Sequence, residues 1–494
     1  MKILKPYLKS NKEDLNLYGV YLIKNYLSLN EENNDKELMI LFSQLNVEYL
    51  TLIIDLLEKN NNKISFFILW ILINLSYVDF NENLFSSNLD NIYKIACFLG
   101  NNKNDKILTY RGIWLLRNIT SNNNKIKEEL LKYNIIEYYN EIYHKYCLDN
   151  EFAHELLICL GNFTVNPNKK YIKQYIPIIK LIKVHLNEST NLKCLNKYLF
   201  FFHNLFSLNS NEILKEMVKE EIYKKLINIY PFKNKSEDDE DGNGEEENKN
   251  HIKSIRILII KILGKILSID EDDEDYTIKK LIDYGIINFL NKVIDSFYAT
   301  SLNNDDTNIK LIKNISFCLS NICTGDYDQM SELYKSQILL KLIKIGKDIY
   351  MLMKNYFNLN ENEVKLLQEA FREICYVFCL TIINSVYDKL IPFAKYQNSI
   401  VVVFIIEALK IFQNKYDLIE LGLKALCHLI NYDKEIEEFN KKIRVSDYNI
   451  TFSEIMERNG IKNTLELLMK SNNHKISHLS EEFYDNFYSF HNSK

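Results

Sequence analysis

Glycine and proline are scarce in this chain. Its 494 residues include only 12 Gly and 5 Pro, whereas average usage is about 7% and 5%. A strand-rich fold needs many turn residues, so these counts disfavour one. Because 47% of the residues are hydrophobic, long helices joined by short polar links fit better. A single core stops growing at about 250–300 residues, so the chain is either several domains or a repeat solenoid.

Long apolar runs and sorting signals are also missing. We find no apolar stretch of the roughly 18 residues that a membrane span needs, and Ile400–Phe412, interrupted by Glu407 and Lys410, predicts a buried helix. The N-terminus MKILKPYLKS lacks a signal-peptide apolar region, and Lys2 excludes myristoylation. The nine cysteines are scattered through apolar helical runs. They predict buried free thiols in a reducing compartment.

The sequence also lacks the usual signs of nucleic-acid binding and catalysis. The formal net charge is −5, which is not the basic footprint of a nucleic-acid binder. Glycine-rich phosphate motifs, a nucleophile elbow and kinase signatures are absent. Cys375 and Cys379 stand four apart without a further Cys or His pair nearby in sequence, which favours core packing over metal binding. We therefore expect a protein that is not an enzyme and that needs no cofactor or metal.

What is present is a repeated helical pattern. Several long apolar helices end with a large residue, three others and then an asparagine. Successive pairs stand 44, 44 and 42 residues apart before the spacing widens. A period in the low forties is the armadillo/HEAT signature. It predicts an all-α, armadillo-repeat, right-handed superhelical solenoid of about nine to ten repeats. The pairs are Trp70 and Asn74, Trp114 and Asn118, Ile158 and Asn162, Phe200 and Asn204, and Phe317 and Asn321.

The predicted organisation is a short N-terminal segment at 1–14, the solenoid at 15–490 and a tail at 491–494. Lys235–Asn250 (KSEDDEDGNGEEENKN) is acidic and has no aromatic residue, which predicts a disordered loop at 235–250 between repeats. Asp270–Asp275 is a second acidic run. The long run is either an insertion without a role or a source of charge that attracts basic partners.

These motifs, in this order from about residue 15 to 490, resemble the importin-α (karyopherin-α) family. The resemblance implies an adaptor, shared between cytoplasm and nucleus, that binds basic nuclear-localisation peptides of cargo proteins in a concave groove for nuclear import. Besides the Trp-x-x-x-Asn helices it rests on Asn162–Pro167 (NFTVNP), Lys261–Lys265 (KILGK, where the family has Arg-x-x-Gly-Asn), Leu319–Met330 (LSNICTGDYDQM) and Ile455–His474.

In such a groove, residues four apart lie on one face of the third helix of each repeat. The Asn amides contact the backbone of an extended peptide. The Trp rings hold Lys and Arg stems, with a cation–π attraction of about 0.5–2 kcal/mol. The alternative is that the Trp rings pack in the core and the Asn amides tie repeats together. The groove residues that the resemblance implies are Trp70, Asn74, Trp114, Asn118, Asn122, Ile158, Asn162, Phe200, Asn204, Lys261, Phe317 and Asn321.

The sequence also departs from the family. The N-terminus has no Arg/Lys-rich importin-β-binding segment, so importin-β binding lacks its usual basis. Asn122 replaces the acidic residue that grips the key lysine, which weakens a charge-assisted contact. In the second groove site the family's Trp positions fall on Phe317 and Phe378. Phe378 is followed by Ile382 instead of Asn, and Asn384 is the alternative counterpart.

The resemblance of the C-terminal repeats implies an export receptor as a further partner. Neither nucleic acid nor a membrane is expected as a partner, and the chain is expected to be a monomer. The alternative function is a non-transport armadillo scaffold for protein–protein interaction.

Overall fold

The computed structural model describes residues 3–29, 47–59, 61–76, 82–232, 245–269, 276–298, 306–354, 360–443 and 451–491. Within these ranges every regular element is a helix, which confirms the all-α prediction. The chain divides into two compact units, Met1–Lys225 (unit 1) and Leu226–Lys494 (unit 2).

Unit 1 is organised by a row of helices that stack one on the next. Four of them end in the predicted Asn pairs, and we call these the third helices of unit 1. The row consists of Glu13–Leu29 and the third helices Asn62–Ser76, Lys106–Thr120, Asn150–Thr164 and Leu192–Leu205. The other α-helices are Lys5–Leu8, Val47–Asp55, Glu82–Ser86, Leu89–Asn101, Asn124–Lys132, Ile135–Tyr146, Ile172–Val184, Asn211–Lys219 and Ile222–Asn228, the last of which crosses the boundary between the units.

Each third helix of unit 1 begins at a side-chain cap. An N-cap oxygen satisfies backbone N–H groups that have no partner within the helix. Asp105 Oδ1 accepts from the N–H groups of Ile107 and Leu108, each at 3.0 Å. The four caps recur with the same spacing as the Asn pairs. The start and the end of each third helix therefore follow the same sequence period. They are Asn61, Asp105, Asp149 and Asn191.

Unit 2 repeats this arrangement with longer helices. Its third helices, again stacked one on the next, are Glu245–Leu267, Asp306–Cys323, Glu361–Asn384, Tyr416–Ile443 and His474–His491. The other helices are Tyr276–Asp283, Ile286–Tyr298, Tyr327–Lys335, Ile338–Lys354, Tyr387–Ile411, Phe452–Arg458 and Ile461–Leu468. The described ranges thus contain nine third helices, in line with the predicted nine to ten repeats.

The stretch Tyr387–Ile411 is the one described helix long and apolar enough to cross a membrane by length and composition. Its backbone leaves the helical conformation at residues 396–399, where Gln397 has φ 47° and Ser399 has φ 59°. It is therefore two shorter helices, and neither has the roughly 20 residues of a span. Most of the apolar residues predicted to be buried in Ile400–Phe412 are so, namely Val401, Val402, Phe404, Ile405, Ile406, Ala408, Leu409 and Phe412, whereas Ile411 is exposed.

Several sequence-based boundaries and burial predictions need correction. Helices already begin at Lys5 and Glu13, within the segment predicted to precede the solenoid. Residues 233–244 and 270–275 lie outside the described ranges, but residues 245–250, predicted to be loop, open the helix Glu245–Leu267. Acidic residues stabilise a helix N-terminus because their negative charge interacts favourably with the positive end of the helix dipole.

All nine cysteines are free, as predicted, but only five are buried. Cys97 on Leu89–Asn101 is exposed, which corrects the expectation of uniformly buried thiols. Its helix is amphipathic, and Cys97 lies outside the buried stripe. The apolar composition of the segment does not show on which side of the helix a given residue lies.

Gly161 allows two third helices of unit 1 to approach closely. A Cβ at this position would lie 2.0 Å from Cζ of Phe201, whose ring is buried. We expect Gly161→Ala to lower the free energy of unfolding by about 2 kcal/mol, because an overpacked core forces side chains and backbone to shift. Urea unfolding followed by circular dichroism measures the change.

Gly100→Ala is the matched control. A Cβ there meets nothing within 4 Å, and alanine is the better helix former by about 1 kcal/mol. Equal destabilisation by both substitutions would contradict the packing role of Gly161.

Candidate functional site

One stripe of the third helices of unit 1 is left uncovered by the stacking. Its members are the predicted pairs, in which a large residue precedes an Asn by one helical turn. Most are half-buried, and the Phe200 ring is 47% exposed. We call this surface the ladder face: Trp70, Asn74, Trp114, Asn118, Ile158, Asn162, Phe200 and Asn204. The structure thus brings all four predicted pairs of unit 1 to one surface.

Three of the four Asn amides of the ladder face donate to the protein itself, whereas the buried Nδ2 of Asn204 has no hydrogen-bond partner among the described residues. Asn118 Nδ2 donates to Ser76 Oγ at 2.9 Å, and Asn162 Nδ2 donates to the Arg117 carbonyl at 2.8 Å. Asn74 Nδ2 donates within its own helix. The interpretation that Asn ties repeats together therefore describes Asn118 and Asn162. Their Oδ1 atoms, like that of Asn74, accept no hydrogen bond from any described residue, so each retains an acceptor for a ligand.

Two aromatic rings on this side of unit 1 are already covered by cations of the chain. Lys24 Nζ lies 5.6 Å from the Trp70 ring centroid, and the guanidinium carbon of Arg111 lies 4.0 Å from the Phe66 ring centroid. Both cations come from neighbouring helices of the stack. Lys24 thus occupies a ring face, that of Trp70, which the resemblance assigns to a Lys or Arg side chain of a bound peptide. Trp114 is different, because no cation of the described residues covers its ring and its buried Nε1 has no hydrogen-bond partner among them.

The carboxylates beside Trp114 are also engaged. Glu155 forms an ion pair with Arg117 of the preceding third helix, and Glu151 accepts from the Tyr110 hydroxyl at 3.0 Å. Burial, reinforced by Glu151, raises the pKa of Tyr110 to about 12. Asn122 lies beyond the end of its helix and is exposed. Nothing on the ladder face therefore offers an unpaired carboxylate at the place where the resemblance puts one.

Two histidine–tyrosine contacts link neighbouring helices in unit 1, one between its last two third helices and one between Ile135–Tyr146 and the end of Ile172–Val184. His154 Nδ1 and the Tyr198 hydroxyl lie 3.0 Å apart, and His185 Nε2 and the Tyr143 hydroxyl 2.8 Å apart. Burial lowers the pKa of both imidazoles. The neutral rings link the helices, and the geometry indicates a structural role.

In unit 2 the sequence-based alignment of the second groove site needs one correction. Phe317 and Asn321 do lie on the third-helix face, and Asn321 Nδ2 donates to the Gly264 carbonyl at 3.2 Å. Phe378 and Ile382, in contrast, are fully buried. Asn384, the alternative counterpart, makes the tie to the preceding third helix, since its Nδ2 donates to the Cys323 carbonyl at 2.8 Å. Lys261 is half-buried on the same side of unit 2 as Phe317.

Sequence reasoning missed Lys24, Arg111, Arg117 and Glu155. Their partners are about one repeat away in sequence, so no local pattern pairs them. The available signal was that Arg111 and Arg117 stand three residues before and after Trp114, which places them on the same exposed stripe.

No family model and no curated protein sequence matches this chain. Solved structures do resemble it. One belongs to a study of a phosphorylation switch that controls the interaction between cadherin and beta-catenin. Its TM-score is 0.71 at 10% identity, covering 98% of this chain and 85% of that chain. The crystal structure of an engineered protein gives a TM-score of 0.60 at 12% identity and covers 98% of both chains.

A designed armadillo repeat protein in complex with the peptide (KR)4 is 16% identical, with a TM-score of 0.38, and covers 63% of this chain and 99% of that chain. At these identities a structural likeness shows the fold alone. Together with the stacked third helices, the likeness to the structure from the cadherin and beta-catenin study assigns the chain to the all-α, armadillo-repeat fold.

The Asn ties predict a measurable contribution to stability. Asn162 donates to both the Arg117 carbonyl and Thr120 Oγ1. We expect Asn162→Ala to lower the free energy of unfolding by about 1–2 kcal/mol, because buried acceptors lose their donor. Asn122→Ala, at an exposed position, is expected to change it by less than about 0.5 kcal/mol. Thermal unfolding of both variants measures the difference, and identical stability of the two would argue against the tie.

Proposed function

We propose that this chain is a protein-interaction scaffold that binds an extended peptide segment of a partner on the ladder face of unit 1. One observation carries the proposal. Asn74, Asn118 and Asn162 are each fixed by their own NH2 group, and each presents an Oδ1 that has no partner among the described residues. Backbone N–H groups of an extended peptide are the natural donors to a row of such acceptors.

The aromatic residues would supply the rest of the binding energy. Trp70 and Trp114 are partly exposed at successive levels of the stack, and Phe200 is exposed two levels after Trp114. Trp is enriched among residues that dominate binding energy. The cations near them are already engaged within the chain, because Arg117 pairs with Glu155, and Lys24 and Arg111 cover rings of the protein itself. Recognition on this face therefore rests on peptide backbone and ring stacking more than on net charge.

A nuclear-import adaptor that reads basic peptides is the second candidate. The observation in its favour is that both tryptophans of the chain lie on the ladder face, one turn before an Asn. It requires that a ligand cation displaces Lys24 from Trp70 or uses Trp114, whose ring has no cation partner among the described residues. Under this candidate the protein would be found in both cytoplasm and nucleus. Neither candidate calls for catalysis.

The two tryptophans generate the first binding prediction. The native chain and Trp70→Ala/Trp114→Ala are each used to select from a random 12-residue peptide display library. The Kd values of the recovered peptides are then measured by fluorescence anisotropy. We expect the double variant to lose about 2 kcal/mol or more of binding free energy, the usual magnitude for central Trp residues.

Tyr93→Ala/Tyr133→Ala removes two exposed rings from helices outside the ladder face and is expected to bind as the native chain does. Failure of the native chain to enrich any peptide, with its helicity intact, would refute a peptide-binding ladder face.

The cations over the rings generate a prediction that separates the two candidates. A lysine-rich peptide is titrated against the native chain, Lys24→Ala and Arg111→Ala, with a glutamine-substituted peptide of equal length alongside. An adaptor for basic peptides should bind the lysine-rich peptide at least about tenfold tighter than its counterpart. Its binding free energy for the lysine-rich peptide should also become more favourable by about 0.5–1 kcal/mol in Lys24→Ala or Arg111→Ala, because a ring then becomes free for a ligand cation.

Equal affinity for the two peptides would instead exclude the adaptor for basic peptides and favour the general protein-interaction scaffold. Lys103→Ala, which removes a cation of the turn after Leu89–Asn101 that pairs with Glu141, controls for the change in net charge.

A further inference from the structure

The third-helix face of unit 2 carries lysines where unit 1 carries aromatic–Asn pairs. On Glu245–Leu267 the two positions four residues apart are Lys261 and Lys265. On the next helix, Lys310 and Lys313 precede Phe317 at helical spacing. The faces meet, because Lys265 Nζ lies 5.5 Å from the Phe317 ring centroid. We call Lys261, Lys265, Lys310, Lys313 and Phe317 the lysine face.

These lysines have too few counterions. Lys313 Nζ pairs with Glu369 at 2.6 Å, but Lys261, Lys265 and Lys310 form no ion pair with any described carboxylate. Lys261 is also half-buried, and its burial, together with the ammonium groups of Lys313 and Lys310, lowers its pKa. Crowded like charges oppose the folded state. An anionic ligand would relieve this repulsion.

A cleft next to the lysine face offers room for a side chain. It has a volume of about 480 Å³, and its lining includes the rings of Phe317 and Tyr376 and the cations Arg372 and Lys415. Its carboxylates are already satisfied, since Glu373 pairs with Arg372 at 2.8 Å and Asp417 accepts from the Tyr376 hydroxyl. The cleft therefore presents two aromatic walls and no unpaired carboxylate among the residues that line it.

We propose that the lysine face of unit 2 binds an acidic, extended segment of a partner protein. Packed helices lie about 8–10 Å apart, and an extended chain advances about 3.3 Å per residue. One carboxylate about every third residue would therefore meet Lys261 or Lys265 on one helix and Lys310 on the next. An apolar side chain of the same segment enters the cleft against Phe317.

This inference does not rest on the proposed function of unit 1. It concerns other helices and a ligand of opposite charge, so binding at one face can fail while the other persists.

The test uses the full chain and a fluorescein-labelled 12-residue peptide with Glu at every third position and Ser or Leu elsewhere. The same peptide with Gln for Glu is the ligand control. We expect the Glu peptide to bind at least about tenfold tighter at low ionic strength, and its advantage to shrink with added salt as the charges are screened. Equal affinity for the two peptides would overturn the proposal.

Lys261→Gln/Lys310→Gln identifies the surface. We expect it to weaken the Glu peptide by about tenfold, the combined effect of two partly exposed charge contacts. Lys344→Gln/Lys347→Gln removes the same charge from exposed positions of Ile338–Lys354, outside the third-helix stack. This control should stay within about twofold of the native Kd. Equal weakening by both pairs would mean non-specific attraction and would overturn the proposal.

The chain itself carries acidic runs at 237–241 and 270–275, which are potential competitors of the same chemistry. The titration is therefore repeated on a variant in which their Asp and Glu residues are Asn and Gln. Tighter binding of the Glu peptide to this variant supports a lysine face that prefers acidic segments. Absence of binding to both the native chain and the variant, with both folded, overturns it.

Discussion

The stacking of each third helix on the next is the constraint from which the other features of both units follow. A helix enclosed by two neighbours of its own kind and by the other helices of its repeat must be apolar nearly all round. In Asn62–Ser76, for example, Ile64, Ile68, Leu72 and Leu75 are fully buried. Only a narrow stripe stays in contact with solvent. Any ligand that a third helix binds must therefore be contacted through residues one turn apart on that stripe.

The same stripe also has to hold neighbouring helices in register. Its polar side chains reach to the next third helix in both units: Arg117 to Glu155, Asn162 to the Arg117 carbonyl, and Lys313 to Glu369. A group used in this way is partly withdrawn from binding. The two binding faces differ in which groups remain after these contacts between helices are made. The ladder face of unit 1 keeps mainly acceptors and rings, whereas the lysine face of unit 2 keeps cations.

Much of the fold was predictable from the sequence because its signals are local. Low Gly and Pro counts, apolar helical runs and the recurring Asn gave the all-α armadillo-repeat class. The partners of the stripe residues were not predictable in this way. Lys24 contacts Trp70 and Arg111 contacts Phe66 across about one repeat of sequence, and only the stacking brings them together.

The long helix Glu361–Asn384 shows the same limit. The motif alignment placed a groove position on Phe378. Whether a residue faces the groove or the core depends on which helices pack around it, and the alignment does not contain this information. Phe378 packs against Phe393 and Phe404, so its ring is in the core, and Asn384 reaches the preceding third helix. The candidate site could be predicted in unit 1, where the period is regular. It could not in unit 2, where the helices lengthen and the register shifts.

A repeat architecture explains how one chain can carry two faces of different character. Stability in such folds is approximately a sum of the stabilities of single repeats and of the interfaces between neighbours. A substitution on the stripe therefore alters one or two local contacts and leaves distant repeats unaffected. On Glu245–Leu267, Lys261 and Lys265 stand where other third helices carry an aromatic–Asn pair. This helix therefore lacks an Asn amide at that position to hydrogen-bond a neighbouring helix. The Asn321 amide still reaches the Gly264 carbonyl between these two lysines, so this level stays joined to the next while its surface charge is free to change.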